Sequence, residues 1–180
     1  MATSTMLNLR NINPIASTAA ILNDHRLTFN VPGTPFVEPS WAAVEEEIGS
    51  KVHGVLYKLS EEDFAKVCQT EGVPFAYRLH RCKVIPYIGD GKTAGEDALS
   101  CSDIKSTPAF TLIAGRQQWR KSNDIPPSKS YLNVLLRGAK EFEFDEDYVT
   151  YLQNIKTATN VIGGGFAEKM LEVAEMRKSQ

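Results

Sequence analysis

Apolar residues recur along the chain in segments with the lengths and spacings of β-strands. The segment 52–59 is almost continuously apolar, which is typical of a central strand covered on both faces. The segment 77–86 changes phase midway, which predicts a bulge or a sharp bend of the kind found in barrels. The predicted long strands are 16–31, 52–59, 77–86 and 107–114, with a short strand at 41–44.

Turn-forming and polar residues separate these strands. Asn23 and Asp24 interrupt the first strand and predict a bulge or a turn there. The segment 32–35 contains two prolines and a glycine and predicts a loop. The acidic run 45–47 predicts a solvated turn, and the polar stretch 88–106 predicts an excursion on the surface.

A helix is predicted between the strands 52–59 and 77–86. Ser60 is suited to cap its N-terminus, and three acids follow in the first turn. Gly72 is suited to end it in the left-handed conformation. Helical spacing places four side chains on the inward face: Phe64, Val67, Cys68 and Glu71.

Glu71 is the unusual member of that inward face. Apolar neighbours and the negative end of the helix dipole both disfavour its ionisation. A glutamate in such surroundings can accept and return a proton near neutral pH, as a general acid and base must. The structural alternative is a side chain that reaches solvent or pairs with Arg78 or Arg81.

Further helices are predicted in the second half of the chain. Ser128 is suited to cap a helix that runs to about Lys140, and Asp145 begins a shorter one. Three glycines at 163–165 predict a hinge before an amphipathic helix at 166–177. That last helix either docks on the core or forms a homodimer or partner contact.

The whole pattern predicts a single α+β fold, a small mixed curved sheet or barrel with flanking helices. We expect one domain over residues 1–156, followed at 157–180 by the glycine-rich hinge and the C-terminal amphipathic helix. A chain of 180 residues with 42% hydrophobic content is long enough to form one core.

Charge and cysteine usage narrow the class of partner. The net charge is -2 and the basic residues are scattered, so the sequence offers no nucleic-acid or anionic membrane surface. No stretch reaches the roughly 18 apolar residues of a membrane span. Cys68, Cys82 and Cys101 are odd in number and lack C-x-x-C spacing, which predicts a reducing, cytoplasmic location.

Three other kinds of site fit the sequence poorly. A phosphate loop at 89–93 would need a glycine where Pro86 stands. Cys82 could pair with His53 or His80 for nucleophilic catalysis, but no spacing selects such a pair. His80 and Cys82 lack the locally paired ligands of a structural zinc site. We therefore predict no metal and no cofactor.

The motifs around Glu71 resemble those of the gamma-glutamylcyclotransferase family. The resemblance rests on the run Val52-His53-Gly54-Val55-Leu56-Tyr57-Lys58-Leu59, the helix end Gln69-Thr70-Glu71-Gly72-Val73, and Tyr77. It extends upstream to Arg10 and Pro14, and downstream to Ser128, Tyr131 and Gly138-Ala139. It implies a gamma-glutamylcyclotransferase-like fold for roughly residues 1 to 155.

The resemblance also implies an activity. Family members convert a gamma-glutamyl amine or amino acid to 5-oxoproline and a free amine without a cofactor, and Glu71 would be the general acid and base. Substrate-binding residues would be Met1, Gly72, Tyr77 and Tyr131. The family's Tyr-Gly-Ser-Asn loop, whose amides hold the substrate, is expected to lie just upstream of Met1 and does not occur in this sequence. The alternative is a non-catalytic binding or interaction protein of the same fold.

Overall fold

A computed structural model of the chain describes residues 6–7, 10–87, 106–115 and 121–161. Within them the chain forms four strands and three helices. These are β1 (Ala16–Thr34), β2 (Glu38–Lys58), α1 (Glu61–Thr70), β3 (Tyr77–Pro86), β4 (Thr107–Ala114), α2 (Lys129–Glu141) and α3 (Glu146–Gln153). None of these described helices has the length and apolar character that crossing a bilayer requires.

The four strands close into a barrel in the order β1-β2-β4-β3. β1 and β2 form a long antiparallel hairpin, β3 and β4 are antiparallel, and β2 runs parallel to β4 where Val44 lies beside Ile113. This confirms the predicted α+β class and the curved sheet. The β3–β4 ladder keeps one register from Tyr77 to Val84, so β3 contains no bulge against β4 and the curvature of the barrel accounts for its change of phase.

The interior of the barrel is filled by small and branched apolar side chains, as the alternation of the strands requires. The buried members of this cluster are Ala20, Leu22, Val44, Val52 and Val84. A second cluster of Ala139, Tyr148 and Leu152 joins α2 to α3, and Leu27 of β1 packs against both clusters. The two helices are thereby fixed to the outside of the hairpin.

The loop predicted at 32–35 is wrong for most of its length. β1 continues to Thr34, which pairs with Glu38, and the turn is shorter and further along, with Phe36 at φ 64°. Gly33 permits this close pairing, because an added Cβ would lie 2.0 Å from the carbonyl oxygen of Glu38. A glycine that reads as a loop signal is here a point of close backbone approach.

The turn predicted at 45–47 is also wrong, because these residues lie inside β2. Arg26 on the neighbouring strand pairs with Glu45 and Glu47 and offsets their charge. The chain leaves the regular ladder directly afterwards, where residues 47–50 stand opposite Asp24. The irregularity predicted at Asn23 and Asp24 is confirmed, and it accommodates the extra residues of β2.

Several predicted features lie outside the described residues. They are Met1, the polar stretch over most of its length, the hinge at 163–165 and the helix at 166–177. The homodimer contact predicted through that helix and the role of Met1 stay predictions.

Candidate functional site

The end of α1 places Glu71 by a specific arrangement of backbone hydrogen bonds. Val73 N–H donates to the carbonyl of Cys68 at 3.0 Å and Gly72 N–H donates to that of Gln69 at 3.1 Å. Gly72 has φ 67°, the left-handed conformation that this termination requires. The predicted stop of the helix is confirmed, and Glu71 is its last, capping residue.

Glu71 lines a cavity of about 590 Å³ that lies between α1 and the barrel. This volume falls in the range of small-molecule sites, roughly 300–1,000 Å³. Phe64 and Val67 of the predicted inward face line the same cavity. Most of the remaining wall is apolar and comes from all four strands: Leu27, Val44, Val55, Leu56, Leu79, Ala109, Phe110 and Leu112.

Arg10 also lines the cavity and forms an ion pair with Glu71 through its Nη1 atom. Both side chains are largely buried, with 17% of Arg10 and 14% of Glu71 exposed. The partner is therefore Arg10 rather than Arg78 or Arg81. The ion pair joins the N-terminal segment of the chain to the end of α1.

Arg10 and Glu71 form a buried ion pair beside an otherwise apolar wall. The Nη1 atom of Arg10 is buried and contacts the carboxylate of Glu71. The site thus combines a cation and an anion at the edge of an apolar cavity.

Tyr77 and Tyr131 both hold the backbone of Ala42, which itself lines the cavity. The hydroxyl of Tyr77 donates to the Ala42 carbonyl at 2.9 Å, and the Ala42 N–H donates to the hydroxyl oxygen of Tyr131 at 3.2 Å. Neither tyrosine lines the cavity. They support its wall from behind, and a hydroxyl that accepts from Ala42 still has its own proton to donate.

The surroundings keep both tyrosines neutral. Burial raises the pKa of Tyr77, and the charge of Glu71 adds to the effect while Arg10 opposes it. Burial likewise raises the pKa of Tyr131 to about 12, against the hydrogen bond from Ala42. The two phenols are therefore hydrogen-bonding groups near neutral pH.

A buried acid fixes α2, which carries Tyr131, against the barrel. Glu38 is 1% exposed, and its carboxylate accepts hydrogen bonds from the backbone N–H of Ser128 at 2.9 Å and from the Ser128 hydroxyl. Ser128 also caps α2 by accepting from Tyr131 N–H at 3.0 Å. Burial raises the pKa of Glu38, and the hydrogen bonds from Ser128 partly offset the rise.

Of the candidate site residues named from the sequence, Glu71 lines the cavity, and Gly72 shapes the helix end without lining it. The structure adds Arg10 and Glu38. Arg10 was noticed only as part of a family pattern, because its pairing with Glu71 depends on tertiary structure. Glu38 gave no signal, since a glutamate before a proline reads as a surface residue.

Comparison with known proteins agrees with this fold. The model of the AIG2-like family matches residues 51–152. The gamma-glutamyl cyclotransferase gliK of Claviceps purpurea is 30% identical over 154 residues, which cover 82% of this chain and 63% of that protein. The gamma-glutamyl cyclotransferase gliK of Aspergillus fumigatus is 28% identical over 171 residues, which cover 83% of this chain and 57% of that protein.

A solved structure of a gamma-glutamyl cyclotransferase superposes with a TM-score of 0.69 at 18% identity, covering 94% of this chain and 90% of the other. The chain spans less than two thirds of the length of the two curated relatives. The family match covers more than half of this chain, and the solved structure shares its fold. The chain therefore belongs to the AIG2-like family and shares the fold of the solved gamma-glutamyl cyclotransferase.

Proposed function

We propose that this chain is a gamma-glutamyl cyclotransferase that releases 5-oxoproline from a gamma-glutamyl amine or amino acid. The observation that carries the proposal is the position of Glu71, a largely buried carboxylate at the wall of a cavity large enough for such a substrate. Family membership supports the same reaction.

The reaction is an intramolecular exchange of amide bonds. The α-amine of the substrate attacks its own γ-carbonyl carbon, a new C–N bond closes the five-membered lactam, and the bond to the leaving nitrogen breaks. The α-nitrogen changes from an ammonium to a lactam N–H and loses two protons, and the leaving nitrogen changes from an amide N–H to an ammonium and gains two. Glu71 accepts protons from the first nitrogen and returns them to the second, so the reaction needs no net acid or base.

Arg10 supports this cycle in two ways. Its guanidinium pairs with the carboxylate of Glu71 and holds that base at the wall of the cavity. The guanidinium group carries further N–H donors, which are suited to an oxygen of the substrate, either the α-carboxylate or the γ-carbonyl as negative charge develops there. Holding the glutamyl group folded is the main task in an intramolecular reaction.

The cavity walls bear on the leaving amine. The charged glutamyl end fits beside Arg10 and Glu71, and the amine extends along the apolar residues Leu56, Phe64 and Phe110. We therefore propose a preference for gamma-glutamyl compounds with apolar leaving groups. Each buried methylene contributes about 0.8 kcal/mol, so gamma-glutamyl-leucine should react with a lower KM than gamma-glutamyl-glycine.

The test is incubation of the 180-residue protein with both dipeptides, followed by chromatographic measurement of 5-oxoproline and the released amino acid. Equal amounts of the two products above the uncatalysed rate support the enzyme. Saturable binding of the dipeptides without product would instead favour the non-catalytic binding protein. Equal kcat/KM for the two dipeptides would refute the apolar preference without refuting the reaction.

A further inference from the structure

Three side chains that can bind a metal ion meet at one end of the barrel interior. His25 lies on β1, Glu46 on β2 and His80 on β3. Side chains two residues apart on a strand share a face. Each donor stands two positions from a residue packed in the barrel core, these core residues being Leu27, Val44 and Cys82. The three donors therefore continue the inward-facing rows of the barrel.

The donor atoms are close enough to share one ion after a small adjustment. One donor atom from each residue lies within 4.8 Å of the others, and Nε2 of His80 is 3.7 Å from a carboxylate oxygen of Glu46. Bond lengths of about 2.0–2.1 Å in a tetrahedral zinc site place ligand atoms roughly 3.3 Å apart. The side chain of Glu46 is 77% exposed and is free to move toward the two imidazoles.

His25 provides an independent indication of a ligand. It is only 8% exposed, and its Nε2 atom is buried without a hydrogen-bond partner among the described residues. Its Nδ1 atom lies 2.8 Å from the backbone carbonyl of Asn23, to which it donates. That hydrogen bond selects the tautomer in which Nε2 carries a free lone pair, and a backbone carbonyl on the other nitrogen is the usual support of a metal-binding histidine.

We propose that His25, Glu46 and His80 bind one Zn²⁺ ion. Two imidazoles and one carboxylate form a donor set that suits zinc better than magnesium or calcium, which prefer oxygen ligands alone. The exposed position of Glu46 leaves the fourth coordination site to solvent. This assignment replaces the expectation of no metal site, which considered only donors close together in sequence.

The site is separate from the proposed chemistry. None of the three residues lines the cavity of Glu71. The ion would join three strands at the end of the barrel next to the irregular region 47–50. Zinc that binds only the folded chain stabilises it by mass action, so the predicted effect is on stability and does not depend on the cyclisation.

The experiment is a zinc titration of the metal-free 180-residue chain without an affinity tag. Calorimetry measures the binding, and thermal unfolding measures the stability. We expect one ion per chain and a rise in Tm with zinc concentration. Glu46→Gln should weaken binding on the order of tenfold or more, as loss of a metal-site partner does. His80→Gln should do the same.

The matched control is Glu47→Gln, which removes the same charge from the neighbouring residue of the same acidic run. Its affinity for zinc should stay within about twofold of the parent, since a single exposed charge contributes little. Absence of stoichiometric binding would overturn the proposal. Equal losses of zinc affinity in Glu46→Gln and Glu47→Gln would also overturn it, because they indicate diffuse electrostatic attraction. No loss of affinity in Glu46→Gln would do the same, because the zinc would then be bound elsewhere.

Discussion

The two serine caps of this chain perform different tasks, and substituting them should separate a helix cap from the support of a buried acid. Ser60 caps α1 at the surface by accepting from Asp63 N–H at 3.1 Å. Ser128 caps α2 in the same way, but its hydroxyl is buried and also donates to Glu38. Both substitutions remove one hydroxyl from one N-cap, so Ser60→Ala is the matched control for Ser128→Ala.

The difference between the two substitutions follows from what each leaves unsatisfied. Loss of an N-cap serine costs about 1 kcal/mol, and this is the whole effect expected of Ser60→Ala. Ser128→Ala also leaves a carboxylate oxygen of Glu38 buried without its donor, which costs about 1–3 kcal/mol more. The free energy of unfolding should therefore fall by about 3 kcal/mol in Ser128→Ala and by about 1 kcal/mol in Ser60→Ala.

Urea unfolding followed by circular dichroism measures both values on the same scale. For a domain of this size, each kcal/mol lowers Tm by roughly 2–4 °C. Equal losses in the two variants would refute the reasoning, since they would mean that the Ser128 hydroxyl does nothing for Glu38.

The pH dependence of the Ser128→Ala effect tests the same point. Burial raises the pKa of Glu38 in the folded chain above its ordinary 4.5. As the pH rises, the unfolded chain therefore releases this proton first. The free energy of unfolding falls as the pH rises from the unfolded pKa of Glu38 to its folded pKa. The hydroxyl of Ser128 reduces the rise in pKa. Ser128→Ala should thus cost more at pH 7 than at pH 4, where Glu38 is largely protonated in both states.

Two further predictions concern the C-terminal end of α1. Gly72→Ala should lower the free energy of unfolding by about 1–2 kcal/mol, because an alanine is strained at φ 67°. Gly54 has open space around it, so the control Gly54→Ala should have little effect in the same urea measurement. Arg10→Gln should lower kcat/KM for 5-oxoproline release, because it removes the guanidinium that pairs with Glu71. The exposed control Arg78→Gln should leave kcat/KM unchanged. Equal kcat/KM for Arg10→Gln and the parent would contradict the proposed role of Arg10.

Local signals in the sequence predicted much of this fold. The limits of β3 and β4 were correct, because apolar runs and flanking polar residues define them within the segment itself. The start of α1 at Ser60 and its end at Gly72 were correct for the same reason, since capping depends on residues three or four positions apart. The sequence predicted a curved sheet or a barrel, and the structure shows that the four strands close into a barrel.

Features that depend on distant residues were missed. The pairing of Glu71 with Arg10 joins residues from separate parts of the chain. The acidic run was predicted to be a turn, because the sequence does not show that Arg26 on another strand offsets its charge. The donors His25, Glu46 and His80 come from three strands, so no local spacing could reveal them. Cytoplasmic location rests on cysteine usage alone and stays a prediction.

The central claim is that Glu71 transfers the proton during ring closure. Its most direct test is the rate of 5-oxoproline release by Glu71→Gln, which keeps the shape of the side chain and removes the basic oxygen. Glu61→Gln is the control, since Glu61 lines the same cavity at the opposite end of α1. We predict a loss of at least about 10²-fold for Glu71→Gln with normal folding, and turnover close to the parent for Glu61→Gln. Turnover by Glu71→Gln equal to that of the parent would contradict the account.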